Sequence, residues 1–348
     1  MKKISKNQTL LLMGAAVLVC TILGLFLTGA VVRALVLNHA FPFELAINGG
    51  QTASSSDNAK AFADAIKKGL IEAIPQLDKT PTPVPSMADQ LPDGQLNIAL
   101  LGVDDYGEGN FRTDVIMILS LNHNHKTNSL ISFPRDLYVT IPGCGENRIN
   151  TAWVCGGFPS FQATFENSFG FKPTYYAMVN FDAFEAVVNS LDGIDVDVTQ
   201  HFEDQCFFNN KQWCVLEPGV THMDGEWALW YARARYSTSD FDRNRRAQDV
   251  VHAIAQKALS LNMLSKAPEL YSLYREYVDT NLGIGTLLAY LGELKQITDP
   301  EKLQRYAITP EMAIDWIIPS GAQVLIPNYA LIEPMLSEAL FRTVEQPK

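Results

Sequence analysis

The sequence predicts an α/β fold, a sheet covered by helices on both faces, preceded by one N-terminal transmembrane helix. Three observations predict it. Leu96–Gly102 and Val115–Leu121 are apolar almost throughout, the pattern of strands buried on both faces. Amphipathic helices alternate with such strands, as at Asp182–Leu191, where Phe184, Val187, Val188 and Leu191 share one side. Finally, residues 7–32 carry no charge and lie within an apolar run, 10–37, broken only by Arg33. That run exceeds the roughly 20 residues needed to cross a bilayer core.

Lys2, Lys3 and Lys6 precede the apolar run, whereas only Arg33 and His39 follow it closely. The positive-inside rule therefore puts the N-terminus in the cytoplasm and everything after about residue 38 outside, a single-pass cell-membrane protein with an extracytoplasmic domain. A cleaved signal peptide is the alternative, but its apolar core would be about 7–15 residues. The exported part holds Cys144, Cys155, Cys206 and Cys214. Four cysteines allow three pairings, of which Cys144–Cys155 with Cys206–Cys214 closes two short loops; four free thiols are the alternative. No C-x-x-C spacing suggests a zinc or redox site.

The rest follows in chain order. Asp57–Ile74 repeats Phe62, Ile66, Leu70 and Ile74 at helical spacing, and Thr80–Pro85 is a semi-rigid proline-rich stretch. Residues 38–92 thus read as a stalk after the anchor, 1–37. A main domain, 93–265, opens with the two strands above. The polar turn 122–128, with His123 and His125 as turn residues, leads to a third strand, Ser129–Phe133. Helix Phe161–Phe169, strand Tyr175–Val179, helix Asp182–Leu191 and strand Asp195–Val198 come next. Helices near Ala247–Asn262, Ile284–Ile297 and Asn328–Phe341, with strands Tyr306–Thr309 and Gln323–Ile326, extend through a C-terminal segment, 266–348. With 47% apolar and 19% charged residues, the chain is neither disordered nor a coiled-coil rod. Its net charge of −11 excludes a general nucleic-acid binder, and a partnership with nucleic acid is not expected.

Three constellations bear chemistry. Asp104 and Asp114 flank the loop between the first two strands; oxygen ligands without nearby His or Cys suit Mg²⁺ or Mn²⁺, though aspartates also cap turns. Arg135-Asp136 follows a buried strand, with Pro134 shaping the exit. Arg233, Arg235, Arg243, Arg245 and Arg246 fall within a single stretch of an acidic chain. Guanidinium forks match phosphate oxygens, and Arg243 and Arg246 are spaced to share a helix face. Two unit charges about 4 Å apart interact by about 4 kcal/mol at an effective dielectric of 20. A diphosphate beside two aspartates alone would be repelled; a divalent cation between them reverses the sign. Acidic loop, metal and arginines are together consistent with one diphosphate site; a solvated helix start with the arginines paired to Asp240 and Asp242 is the alternative. No G-x-S-x-G elbow or Walker loop competes.

In this order, several stretches resemble the LytR-CpsA-Psr family of bacterial cell-envelope proteins. They are Leu100–Asp104, Arg112–Asp114, Ser132–Asp136, Arg148–Trp153 with Gly156-Gly157, Leu191–Ile194, Met223–Leu229, the Arg233/Arg235 pair and Ser239-Asp240-x-x-Arg243-x-x-Arg246. The resemblance covers roughly residues 95–262 and implies an α-β-α sandwich with a mixed central sheet and a deep apolar pocket for a prenyl chain. It implies a phosphotransferase that moves a glycopolymer from a polyprenyl-diphosphate carrier to peptidoglycan or another envelope glycan, forming a phosphodiester. By that analogy Asp104 and Asp114 hold Mg²⁺, and Arg135, Arg233, Arg235, Arg243 and Arg246, with Arg112, bind the diphosphate. Arg135, Asp136 and Asp240 would act in catalysis, either aspartate being a candidate base. The chain departs from the family at Tyr106, where an arginine is usual, and at Ala247, where a glutamine is usual and Gln248 follows one place later. A polyprenyl-diphosphate pyrophosphatase and a non-catalytic lipid-carrier-binding module are the alternatives.

Overall fold

Side chains of a strand alternate between faces, so a strand apolar throughout must be covered on both sides. The first three strands meet that condition: β1 (Gln95–Val103), β2 (Thr113–Asn122) and β3 (Asn128–Phe133). In one direction Ile98, Met117, Leu119 and Leu130 enter one core; in the other Leu101, Ile116, Ile118, Ile131 and Phe133 enter a second. The computed structural model describes residues 91, 94–104, 112–123, 128–206, 208, 213–260, 263–299 and 301–341. The expected anchor, the helix at 57–74, the proline-rich stretch and Tyr106 lie outside the described residues. Among the described residues no helix is long and apolar enough to cross a membrane.

The elements continue with hairpin β4 (Tyr138–Ile141) and β5 (Gly145–Arg148), a 3₁₀ turn at Ile149–Thr151, α1 (Ala152–Phe169), β6 (Tyr175–Val179) and α2 (Phe181–Ser190). Then come β7 (Ile194–Val198), β8 (Phe202–Gln205), β9 (Trp213–Leu216), β10 (Gly219–Met223), α3 (Gly225–Arg233), α4 (Asp240–Ser260) and α5 (Met263–Tyr277). The described residues end with β11 (Asp279–Thr280), α6 (Ile284–Ala289), α7 (Leu291–Gln296), β12 (Leu303–Ala307), β13 (Ala313–Ile317), β14 (Gln323–Pro327) and α8 (Tyr329–Phe341). The central sheet has the order β11-β6-β1-β2-β3-β12. It is mixed: β1 runs parallel to β6 and β3 to β12, while β1–β2, β2–β3 and β6–β11 are antiparallel.

The two covering layers differ in kind. On one face α3, α4 and the β7–β10 pair supply Tyr231, Trp230, Val250, Val196 and Ile194. On the other, α1 and α8 supply Phe161, Phe165, Phe169, Ile332 and Leu336, and Phe133 packs against Phe165 and Phe169 at 4.9 and 5.0 Å between ring centroids. Both local cysteine pairs are disulfides, Cys144–Cys155 and Cys206–Cys214.

Four expectations need correction. The strand expected at 195–198 is β7, but it pairs with β10 in a covering layer rather than joining the central sheet. The helix expected from Ala247 begins at Asp240, so Arg243 and Arg246 lie inside its first turns. The single helix expected over 284–297 is two, broken at Tyr290, whose hydroxyl donates to the Gly94 carbonyl at 3.2 Å. The helix expected from Phe161 starts at Ala152 and passes through a break, because Gly156 and Gly157 are not helical there. Gly157 has φ 64° and ψ −153°, a conformation open to glycine alone.

Candidate functional site

The strands β1, β3, β6 and β12 all point their C-terminal ends to one end of the sheet, and β2 begins there. Open α/β sheets place ligands at that end. Asp104 follows β1 directly and its Oδ1 accepts the backbone N–H of Arg112 at 3.2 Å. The β1–β2 register pairs Gly102 with Val115 but Val103 with Thr113, which leaves Asp114 as the extra residue of a bulge. Bulges re-aim side chains. Here the bulged carboxylate turns to the Arg135 guanidinium, whose Nη1 donates to Asp114 Oδ1.

Arg135 sits in the turn after β3. Burial pulls its pKa down, but Asp114, Asp136 and Asp240 outweigh that and the net direction is up. Asp136 Oδ2 lies 3.5 Å from Arg135 Nε, and its Oδ1 lies 3.2 Å from Arg148 Nε. The 3₁₀ turn braces this corner. The Asn150 N–H donates to the Arg135 carbonyl at 3.2 Å, and the Asn150 carbonyl accepts the Thr113 hydroxyl at 3.3 Å, one residue before the bulged aspartate.

The other layer brings its charges to the same place. Arg243, only 4% exposed, donates from Nη2 to the Asp114 carbonyl at 3.2 Å and to Asp240 Oδ2 at 2.9 Å. Burial lowers its pKa against the raising effects of Asp240 and Asp114. Burial also raises the Asp240 carboxyl, with Arg243, Arg135 and Arg235 acting the other way. Arg233 ends α3, whose start is capped by the Asp224 carboxylate accepting from Trp227 N at 2.9 Å. Its guanidinium carbon lies 3.6 Å from the centroid of the Phe181 ring, and the desolvation there lowers its pKa against Asp114 and Asp104. Arg235 is exposed beside them, close enough to act on Arg233, Asp240 and Arg243.

The structure therefore brings together Asp104, Asp114, Arg135, Asp136, Arg233, Arg235, Asp240 and Arg243, with the backbone of Arg112. It does not bring Arg246 to them. That guanidinium, 1% exposed, donates to the carbonyls of Tyr231 (2.9 Å) and Ala234 and to the Thr238 hydroxyl (3.1 Å), with its carbon 4.2 Å from the Phe202 ring centroid. Burial lowers it to about 10, so it stays cationic at neutral pH, as a brace for the α3–α4 connection. Nor does Gln248 stand in for the usual glutamine. Its amide donates to Ser132 Oγ at 2.7 Å and the Tyr306 carbonyl at 2.8 Å, joining β3 to β12. Two contributors escaped the sequence reading. Arg148 heads one of the matched stretches yet had no role assigned; Phe181 carried no signal at all.

Two features bear on what the site could hold. Nε of Arg135 and Nε of Arg243 are buried and make no hydrogen bond among the described residues, a pair of donors suited to oxyanions. The metal donor set is two aspartates, and no group of three His, Cys, Asp or Glu suited to a metal occurs among the described residues. That set fits Mg²⁺, which is commonly held by one or two carboxylates and completed by substrate phosphates, rather than an ion in an all-protein cage.

The profile of the LytR_cpsA_psr family matches residues 50–328. The chain is 32% identical over 193 residues to regulatory protein MsrR of Staphylococcus aureus, covering 55% of this chain and 57% of that protein. It is 31% identical over 200 residues to the polyisoprenyl-teichoic acid--peptidoglycan teichoic acid transferase TagV of Bacillus subtilis, covering 56% and 51%. The chain thus spans little more than half the length of these curated relatives. Among solved structures, the crystal structure of B. subtilis TagV aligns with a TM-score of 0.60 at 28% identity, covering 73% of this chain and 100% of that one. TagT bound to LIIa-WTA aligns with a TM-score of 0.55 at 25% identity, covering 72% and 92%.

Proposed function

The chain belongs to the LytR-CpsA-Psr family, and from that premise we propose that it is a membrane-anchored extracytoplasmic phosphotransferase. It moves a glycopolymer from a polyprenyl-diphosphate carrier onto a hydroxyl of peptidoglycan or another envelope glycan and leaves a phosphodiester link. The observation that carries this reading is the meeting of Arg135, Arg233, Arg235 and Arg243 with Asp104 and Asp114 at one end of the sheet. The anchor would be the apolar run at 10–37, keeping the domain close to the bilayer that presents the lipid carrier.

A diphosphate brings charge that must be met twice, once on binding and again as the transferred phosphoryl group reacts. Arg135 and Arg243 offer buried Nε donors for its oxygens, and Arg233 and Arg235 add positive charge at the rim. Fixed donors of this kind act most where water is excluded. Asp104 and Asp114 would hold Mg²⁺ (or Mn²⁺), which when bound supplies further charge neutralisation on the diphosphate. Asp136 keeps Arg135 and Arg148 in place, while a carboxylate near the arginines receives the acceptor's proton.

The test is substitution with product analysis. Asp114→Ala and Arg135→Ala should each lower turnover of a polyprenyl-diphosphate glycan at least about 100-fold, the scale of losing one donor to developing charge. A cooperative thermal transition should persist in both, since Arg135 retains Asp136 and Asp136 retains Arg148. Full turnover in both variants would refute the assignment.

A further inference from the structure

Asp136 and Asp240 both stand at the arginine cluster, and the fold treats them differently. Asp136 faces two guanidiniums from different elements, Arg148 through Oδ1 at 3.2 Å and Arg135 through Oδ2 at 3.5 Å. Its own carbonyl accepts the Leu325 N–H at 2.9 Å, which fixes the backbone that carries it. Among the described residues Asp240 is in ion-pair contact with one guanidinium, that of Arg243. Arg243 Nη2 lies 2.9 Å from each of its oxygens, and the hydrogen bond goes to Oδ2. Oδ1 is shielded from water yet has no hydrogen-bond partner among the described residues.

The neighbouring Nε atoms of Arg135 and Arg243 share that condition. Among the described residues the cluster thus holds two donors and one acceptor that are ion-paired or buried but make no hydrogen bond, Arg135 Nε facing Asp136 at 3.5 Å and Asp240 Oδ1 facing Arg243 at 2.9 Å. Phosphate oxygens at neutral pH accept, so they answer the donors and leave the acceptor unmatched. Oδ1, which faces Arg243 Nη2 without hydrogen-bonding it, is free to accept from a group that brings a hydrogen. Where a diphosphate meets a sugar, that group is the sugar's hydroxyl.

Resting on the phosphotransfer reading above, we infer that Asp240 Oδ1 is the base that takes the acceptor hydroxyl's proton, and that Asp136 is a positioning residue for Arg135 and Arg148. The acceptor oxygen forms a bond to the phosphorus next to the glycan as its proton passes to Asp240. The bond from that phosphorus to the bridging oxygen breaks, and polyprenyl monophosphate leaves with the electron pair. Asp240 returns the proton to water once the products have gone.

The groups facing Asp240 are Arg243 on its own helix, Arg135 and Asp136 from the turn after β3, and Arg235 from the α3–α4 connection. Burial prevails over the three arginines, and Asp136 adds to it, so the carboxyl titrates above its ordinary range. A carboxylate so raised is a better proton acceptor near neutrality than an exposed one. The sign follows: the base must be ionised, so kcat falls as pH drops through the raised pKa.

The experiment uses the full chain in detergent with a short-chain polyprenyl-diphosphate disaccharide as donor and a peptidoglycan-derived tetrasaccharide as acceptor. It measures kcat and donor KM across pH. Asp240→Asn should lower kcat roughly 10²–10⁴-fold, the range for a lost general base, leave donor KM unchanged and abolish the acidic limb. Asp240→Glu, which keeps the charge for Arg243, should regain part of kcat together with the limb. Asp136→Asn should raise donor KM and keep the limb. An acidic limb that persists in Asp240→Asn, or one that disappears in Asp136→Asn, overturns the assignment while the wild type still turns over. A wild type that yields neither conjugate nor polyprenyl monophosphate overturns the phosphotransfer reading itself, and the base assignment with it.

Discussion

Five arginines crowd one short stretch of this chain, and the residues around each decide what it does. Arg233, Arg235 and Arg243 join the site, Arg245 turns outward to the Thr199 hydroxyl at 2.7 Å, and Arg246 turns inward. The sequence reading placed Arg243 and Arg246 on one helix face and treated both as phosphate ligands. The spacing was sound, but the helix starts at Asp240 and enters the core as it passes them. Arg243 therefore meets Asp114 and Asp240, and Arg246 the α3–α4 connection within its own layer. Burial without an oxyanion is tolerable for Arg246 because Nε, Nη1 and Nη2 each meet an oxygen of the chain. Arg246→Met keeps most of the volume and strands the Tyr231 and Ala234 carbonyls. It should destabilise the fold by about 2–4 kcal/mol, read as a fall in the denaturation midpoint. A variant as stable as the wild type would return Arg246 to the ligands.

At the scale of elements, the site depends on how closely its helices approach. Gly225 opens α3 against α2, and a Cβ there would sit 2.6 Å from the Glu185 carbonyl and 2.7 Å from its Cα. Both are backbone atoms of a packed helix, so neither can step aside cheaply. Gly225→Ala should lower stability by about 2 kcal/mol or more and shift Arg233 at the far end of α3, so donor KM rises as well. Unchanged stability would show that α2 and α3 can separate freely. The main strands were legible because an apolar run has few readings when polar turns bound it. Elements whose signal is a partner rather than a period were not. The hairpins β4–β5 and β8–β9 carry few core residues each and take shape from what they pack on. The bulge at Asp114 was equally hidden, since only the β1–β2 register reveals it.

For the whole molecule, an acidic chain gathers four of its arginines at one end of the sheet. Its net charge is −11, yet Arg135, Arg233, Arg235 and Arg243 gather at the end of the sheet and match Asp104, Asp114, Asp136 and Asp240 there one for one. The rest of the chain carries the acidic excess, which leaves the remaining surface repellent to polyanions. The two sides each contribute: the 3₁₀ turn braces Arg135 from one, and α3 and α4 deliver Arg233 and Arg243 from the other. The site was legible in the sequence as a set of residues; its division into ligands, braces and clamps was not, because hydrogen-bond partners far along the chain decide it. The most direct test of the central claim follows the atom that is transferred. A polyprenyl-diphosphate glycan labelled with ³²P only in the phosphate next to the sugar would be incubated with the full chain and a peptidoglycan oligosaccharide, with Mg²⁺ or with EDTA. Phosphotransfer predicts Mg²⁺-dependent label in a phosphodiester conjugate, with unlabelled polyprenyl monophosphate released. Label recovered only as glycan phosphate, or only in intact donor, would contradict it.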